Sequence, residues 1–176
     1  MSRRTLSAIV LDLVILCVLV ATFWRVFGGA GAFARKEAGP RPTIRVGMAL
    51  NLPGVDWGQT HRNVVLALRT TCGACIASAP FYKELAATVS SASASLVVLS
   101  TDRAESIRGW LTANSVSAEH ILPEIDLPAL GFLVVPTLLV VSPAGTVTDV
   151  LPGVLTADEQ RKVLEQLSGN RQPRDE

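Results

Sequence analysis

Two cysteines three positions apart, in Cys72-Gly73-Ala74-Cys75, are the side chains of this sequence whose type and spacing could do chemistry. Their sulfurs come within bonding distance when the first cysteine ends a strand and the second lies in the first turn of the next helix, so a reversible disulfide forms easily. The start of that helix presents unpaired N–H groups and a positive dipole end to the first sulfur, which stabilises its thiolate. Cys72 is therefore the expected nucleophile: its thiolate attacks a partner disulfide, a mixed disulfide forms, and Cys75 attacks Cys72 to release the reduced partner. A static disulfide and half of a zinc site are the other uses of such a pair. Zinc wants four ligands, there is no second cysteine pair, and His61 and His120 lack close ligand spacing, so no metal is expected.

The elements around the pair follow from periodicity. Asn63 to Leu68 (NVVLAL) is an apolar, β-branched run suited to a strand buried on both faces. From Gly73 to about Val89, apolar residues recur at helical spacing, and Pro80 is expected to kink that helix in its middle. Leu96 to Leu99 is a second buried strand and Thr101 to Ala113 a second helix, an alternation that implies a parallel sheet. Ser115 to Leu130, interrupted by Pro123 and Pro128, reads as a loop with short pieces of structure. Thr137 to Val141 and Thr146 to Leu151 flank Ser142-Pro143-Ala144-Gly145 as a β-hairpin. Thr156 with Glu159 three residues on forms a capping box for a last helix that runs to about Leu167 and stops at Gly169.

Thr5 to Trp24 is twenty residues with a single charge, Asp12, long enough to cross about 30 Å of hydrocarbon as a helix. A transmembrane anchor is expected there, with a cleaved signal peptide, favoured by the small residues that end at Ala32-Phe33-Ala34, and a buried core helix as the competing readings. Cys17 within it reads as a small buried apolar residue. The organisation expected is an anchor over 1–27, a linker over 28–42, a folded domain over 43–169 and a flexible tail over 170–176. The 16 Lys and Arg nearly balance 15 Asp and Glu with no long run of either sign, which leaves no electrostatic footprint for nucleic acid. No GxGxxG, Walker loop or Gly-x-Ser-x-Gly elbow occurs, and no cofactor is expected.

From about Val46 to Leu167 the sequence resembles the thioredoxin superfamily, and more narrowly its membrane-anchored, extracytoplasmic thiol-disulfide oxidoreductases of the TlpA/ResA type. The resemblance rests on the strand before Cys72 and Cys75, Pro80 five residues after the pair, Val135-Pro136-Thr137 before a strand, and Gly153 after the hairpin. It implies a thioredoxin-like α/β fold, a central mixed sheet flanked by helices, preceded by the transmembrane helix. It also implies a cis Pro136 beside the cysteines, with Val135 offering its backbone to an extended substrate and Thr71 facing that substrate. The implied partners are extracytoplasmic thiol or disulfide proteins and a membrane electron donor. The implied place is the inner membrane, crossed once, with the domain on the periplasmic side, and the implied work includes cytochrome c maturation.

The departures from that pattern bear on activity. Thr71 stands where tryptophan is usual, which alters the substrate-facing surface. Leu66 stands where a buried acidic or polar residue is common, so a proton acceptor for the resolving thiol is missing there. Ile76 and Ser78 replace basic and acidic residues. Without a base beside it in sequence, Cys75 should hold its proton longer. These losses motivate a second reading, a client-binding module with a static disulfide. Peroxidatic chemistry is disfavoured because Arg69 occupies the position where that class needs threonine.

Overall fold

Residue type and alternation explain a five-stranded mixed sheet. A computed structural model describes residues 43–169, together with Leu16. The rest of the apolar segment 5–24, Cys17, the linker and the tail lie outside the described residues. Strand β1 (Asn63–Leu68) is buried along its whole length and occupies the centre of the order β3-β2-β1-β4-β5. It pairs in parallel with β2 (Ser95–Ser100) and antiparallel with β4 (Thr137–Val141). Beyond β2 lies β3 (His120–Leu122), parallel, and beyond β4 lies β5 (Val147–Pro152), antiparallel.

Both parallel steps, β1 to β2 and β2 to β3, move in the same direction across the sheet, so right-handed crossovers put their helices on one face. These are α1 (Gly73–Ala77) and α2 (Ala79–Ser91) after β1, and α3 (Ala104–Ala113) after β2. The last helix, α4 (Ala157–Leu167), joins the same face and opens with the capping box of Thr156 and Glu159. Val64, Leu66 and Leu68 of β1 point into this helical layer with Phe81, Tyr82 and Leu85. Val65 and Ala67 point the other way, onto a layer built without long helices from Ile44, Leu50, Leu52, Trp57, Leu127 and Phe132. The sheet therefore carries its helices on one face and irregular chain on the other.

Two expectations need adjustment. The helix after the cysteines is not one helix kinked in its middle: it breaks at Ser78, and Pro80 lies in the first turn of the second piece, where its missing N–H costs no bond. The helix expected from Thr101 starts at Ala104, because Asp102 is engaged elsewhere. The stretch after Ser115, expected as a loop with short pieces of structure, holds one such piece, the three-residue strand β3. Among the described residues no helix is long and apolar enough to cross a membrane.

Candidate active site

The carboxyl end of β1 delivers the cysteine pair. The chain leaves the sheet at Leu68 and turns through Arg69 to Thr71, with the Cys72 N–H donating to the Arg69 carbonyl at 3.2 Å. Cys72 is the N-cap of α1, with extended backbone angles, and its sulfur accepts from the Cys75 N–H at 3.4 Å. A capping position is where a thiolate gains most from the unpaired amides of a helix start. The second thiol, Cys75, lies one turn on and is fully buried in the core layer that also holds Leu66, Leu68 and Tyr82, whereas Cys72 is half-buried. Both are free thiols.

The same placement separates their acidities. Partial burial opposes ionisation of Cys72, but the hydrogen bonds from Cys75 and Ala74 and the nearby Arg69 charge together outweigh it, and its pKa falls below that of an ordinary thiol. Burial dominates at Cys75 and, helped by the neighbouring Cys72 sulfur, pushes it up to about 12. One thiol is thus poised to attack and the other is held protonated.

Val135 meets the pair from the opposite side. Its carbonyl lies 3.7 Å from the Cys72 sulfur, a long S–H contact, and the Val135–Pro136 peptide is cis. The Pro136 carbonyl in turn accepts from the Gly153 N–H at 2.7 Å, where a left-handed φ of +83° suits glycine. The structure thus brings together Cys72, Cys75, Val135 and Pro136. Thr71 precedes the pair on the surface, exposed. Ile76, Val134 and Val154, each chain-adjacent to one of these residues or to Gly153, are more than half exposed and form an apolar rim. His61 is exposed and His120 lies in β3, and no cluster of three or more potential metal ligands occurs among the described residues.

Two contributions escaped the sequence. Asp102, just after β2, accepts from the Thr70 N–H at 2.6 Å and from the Ser100 hydroxyl at 3.0 Å, which pins the loop that leads to Cys72. Tyr82 places its hydroxyl in the core beneath the pair. A signal for it existed: it is the single tyrosine of the chain, four residues from Ser78 and so on the same helical side.

Neither a protein-family model nor a curated protein matches the chain significantly. Solved structures do. The chain is similar to the thioredoxin domain of a thiol-disulfide oxidoreductase from Bacteroides vulgatus, at 17% identity and a TM-score of 0.54, covering 72% of this chain and 99% of that one. It is similar to StoA from Bacillus subtilis, at 13% identity and a TM-score of 0.51, over 70% of this chain and 98% of that one. A thioredoxin-family thiol:disulfide interchange protein from Chlorobium tepidum aligns at 15% identity and a TM-score of 0.53, over 75% of this chain and 100% of that one. At these identities the likeness is one of fold: the described domain is a thioredoxin-like α/β fold, a mixed sheet with flanking helices.

Proposed function

We propose that this thioredoxin-fold chain is a thiol-disulfide oxidoreductase that exchanges disulfides with protein partners through Cys72 and Cys75. The observation that carries the reading is the asymmetry of the two thiols. A half-buried sulfur at a helix N-cap has its pKa lowered, and a buried one three residues on has its pKa raised to about 12. A static disulfide has no use for that difference, whereas attack followed by resolution needs it. The nearby Val135 backbone and the apolar rim suit an extended, apolar stretch of a partner lying across the pair.

The domain works outside the cytoplasm, in this proposal, tethered to the inner membrane by residues 5–24. The support is the length and apolarity of that segment and the compartments where disulfide chemistry persists. Partners are then extracytoplasmic thiol or disulfide proteins, with a membrane protein supplying electrons, and the maturation of cytochrome c is one process that needs such work. The experiment is replacement of Cys75→Ser in cells, followed by recovery of mixed disulfides on Cys72. Partners that disappear in Cys72→Ser support exchange; recovery of none in either variant sinks it. A membrane-fraction blot of the same cells checks the tether.

A further inference from the structure

Resolution leaves one proton to be placed. Cys75 has no exposed surface, and its S–H must ionise before its sulfur can attack. Among the described residues, the charges that reach it are Arg69, from the loop after β1, and the Cys72 sulfur beside it. The other elements packed there contribute Leu66 and Leu68 from β1, Leu138 from β4 and Leu155 after β5. In this apolar ground lie two polar atoms, Ser78 Oγ and Tyr82 OH, both buried and neither hydrogen-bonded. Such orphaned hydroxyls are uncommon in a folded core and call for a partner.

Their placement supplies one. Ser78 ends α1 and caps α2, and the Tyr82 N–H donates to the Ser78 carbonyl at 3.1 Å, so the two side chains leave the same turn of helix. Both line a cavity of about 10 Å³ shared with Leu66, Phe81, Pro136 and Gly153. That is about the space one water needs, and a water needs polar partners such as these two. The Tyr82 phenol also feels both Cys75 and Cys72. Half-exposed Gly153 lines the side that faces out.

We propose that the hydroxyls of Ser78 and Tyr82, with one water in the cavity between them, form a proton relay for Cys75. The proposal rests on the exchange reading above. In the mixed disulfide, the Cys75 S–H bond breaks and its proton is handed on through the two hydroxyls, which line the cavity where Cys75 does not, to the water and out past Gly153. The freed electron pair forms the Cys75–Cys72 bond as the Cys72–partner bond breaks. The partner's sulfur leaves as a thiolate and takes a proton from solvent. Two electrons pass from the cysteine pair to the partner, and the protons balance. Tyr82 itself stays protonated, since burial raises its pKa, so it passes a proton on rather than storing one.

The test uses the full chain, reduced, mixed with 5,5′-dithiobis(2-nitrobenzoate). Attack by Cys72 releases one thionitrobenzoate in a bimolecular phase, and attack by Cys75 releases the second in a concentration-independent phase. Ser78→Ala and Tyr82→Phe are expected to leave the first phase intact and to slow the second at least about tenfold near neutral pH, with its pH midpoint moved upward. The double variant should be little slower than either single one, since the groups act as a unit. An unchanged second phase across the pH range in both single variants overturns the relay, as does equal slowing of both phases, which would mark a scaffold role. A wild-type chain that shows no bimolecular phase at all would instead overturn the exchange reading beneath it.

Discussion

The carboxylate of Asp102 accepts a hydrogen bond from the backbone N–H of Thr70 at 2.6 Å, across 32 residues of sequence. It joins the chain just after β2 to Thr70, two residues before Cys72, and the Ser100 hydroxyl holds the same oxygen at 3.0 Å. The loop that aims the nucleophile therefore hangs on a side chain from the neighbouring strand. Asp102→Ala should lower stability by about 1.5–3 kcal/mol, the range for hydrogen bonds to a charged acceptor. Because the loop is then free, the thiolate-forming geometry at Cys72 should loosen as well. Urea unfolding measures the first effect, and the rate of Cys72 attack on a small disulfide measures the second. A variant as stable and as fast as the wild type would show that the loop is held by other means.

Opposite shifts of the two thiols give a signed pH dependence. Cys75 is raised in the fold from 9.0 to about 12, so its contribution to the stability of the reduced protein is complete below pH 9 and is lost as pH rises through that interval. Cys72 is lowered, so its contribution is present above 9.0 and is lost as pH falls through its folded value. Reduced wild type should therefore lose stability relative to reduced Cys75→Ala as pH is raised from about 8 to about 10 in urea titrations. Parallel curves would contradict the burial of Cys75. At neutral pH, iodoacetamide should label Cys72 and spare Cys75, which peptide mapping resolves.

Far from the cysteines, Gly145 and Trp57 tie the amino-terminal segment to the β4–β5 hairpin. The glycine has a φ of +74°, and a Cβ there would lie 2.8 Å from the indole Cδ1. The Trp57 Nε1–H also donates to the Leu50 carbonyl at 2.8 Å, while the Leu50 N–H donates to the Gly145 carbonyl. Gly145→Ala thus meets backbone strain and a fixed ring together and should cost more than about 1 kcal/mol. Tryptophan fluorescence should shift with it, since the ring must move. The cysteine pair lies at the other end of β4, so its reaction with small disulfides should stay the same.

How much of this was legible follows from how each residue is used. β1, β2 and β4 were readable because strands buried on both faces are continuous apolar runs, and Cys72, Cys75 and Val135-Pro136 are legible as short motifs. β3 was legible only as an unplaced short piece within a loop, since three half-buried residues before Pro123 carry no period. Asp102 falls inside the helix expected from Thr101, and only the three-dimensional neighbour, Thr70, shows that the carboxylate is committed to the loop. The hydroxyl of Tyr82 was hidden by its ring, which fills a core position as a phenylalanine would. The strand order puts α1, α2 and α3 on one face once crossovers are right-handed, but that order depends on β3, which the sequence does not mark, and α4 follows an antiparallel strand to which the rule does not apply.

The apolar rim offers a way to separate docking from thiol chemistry. Ile76 is 52% exposed, Val134 51% and Val154 56%, and each is a neighbour in the chain of Cys75, Val135 or Gly153. Exposed aliphatic side chains bear little on stability, so Ile76→Asp and Val134→Asp should each change it by less than about 0.5 kcal/mol. A protein partner that lies across the pair would instead lose apolar contact and meet a charge. In a Cys75→Ser background, both substitutions should cut the yield of trapped protein partners several-fold. The rate of attack on a small disulfide reagent, which has no need of the rim, should stay within about twofold. Equal loss of both would mean that the substitutions disturb the Cys72 thiolate itself, and an undiminished yield of partners would place docking on another surface of the domain.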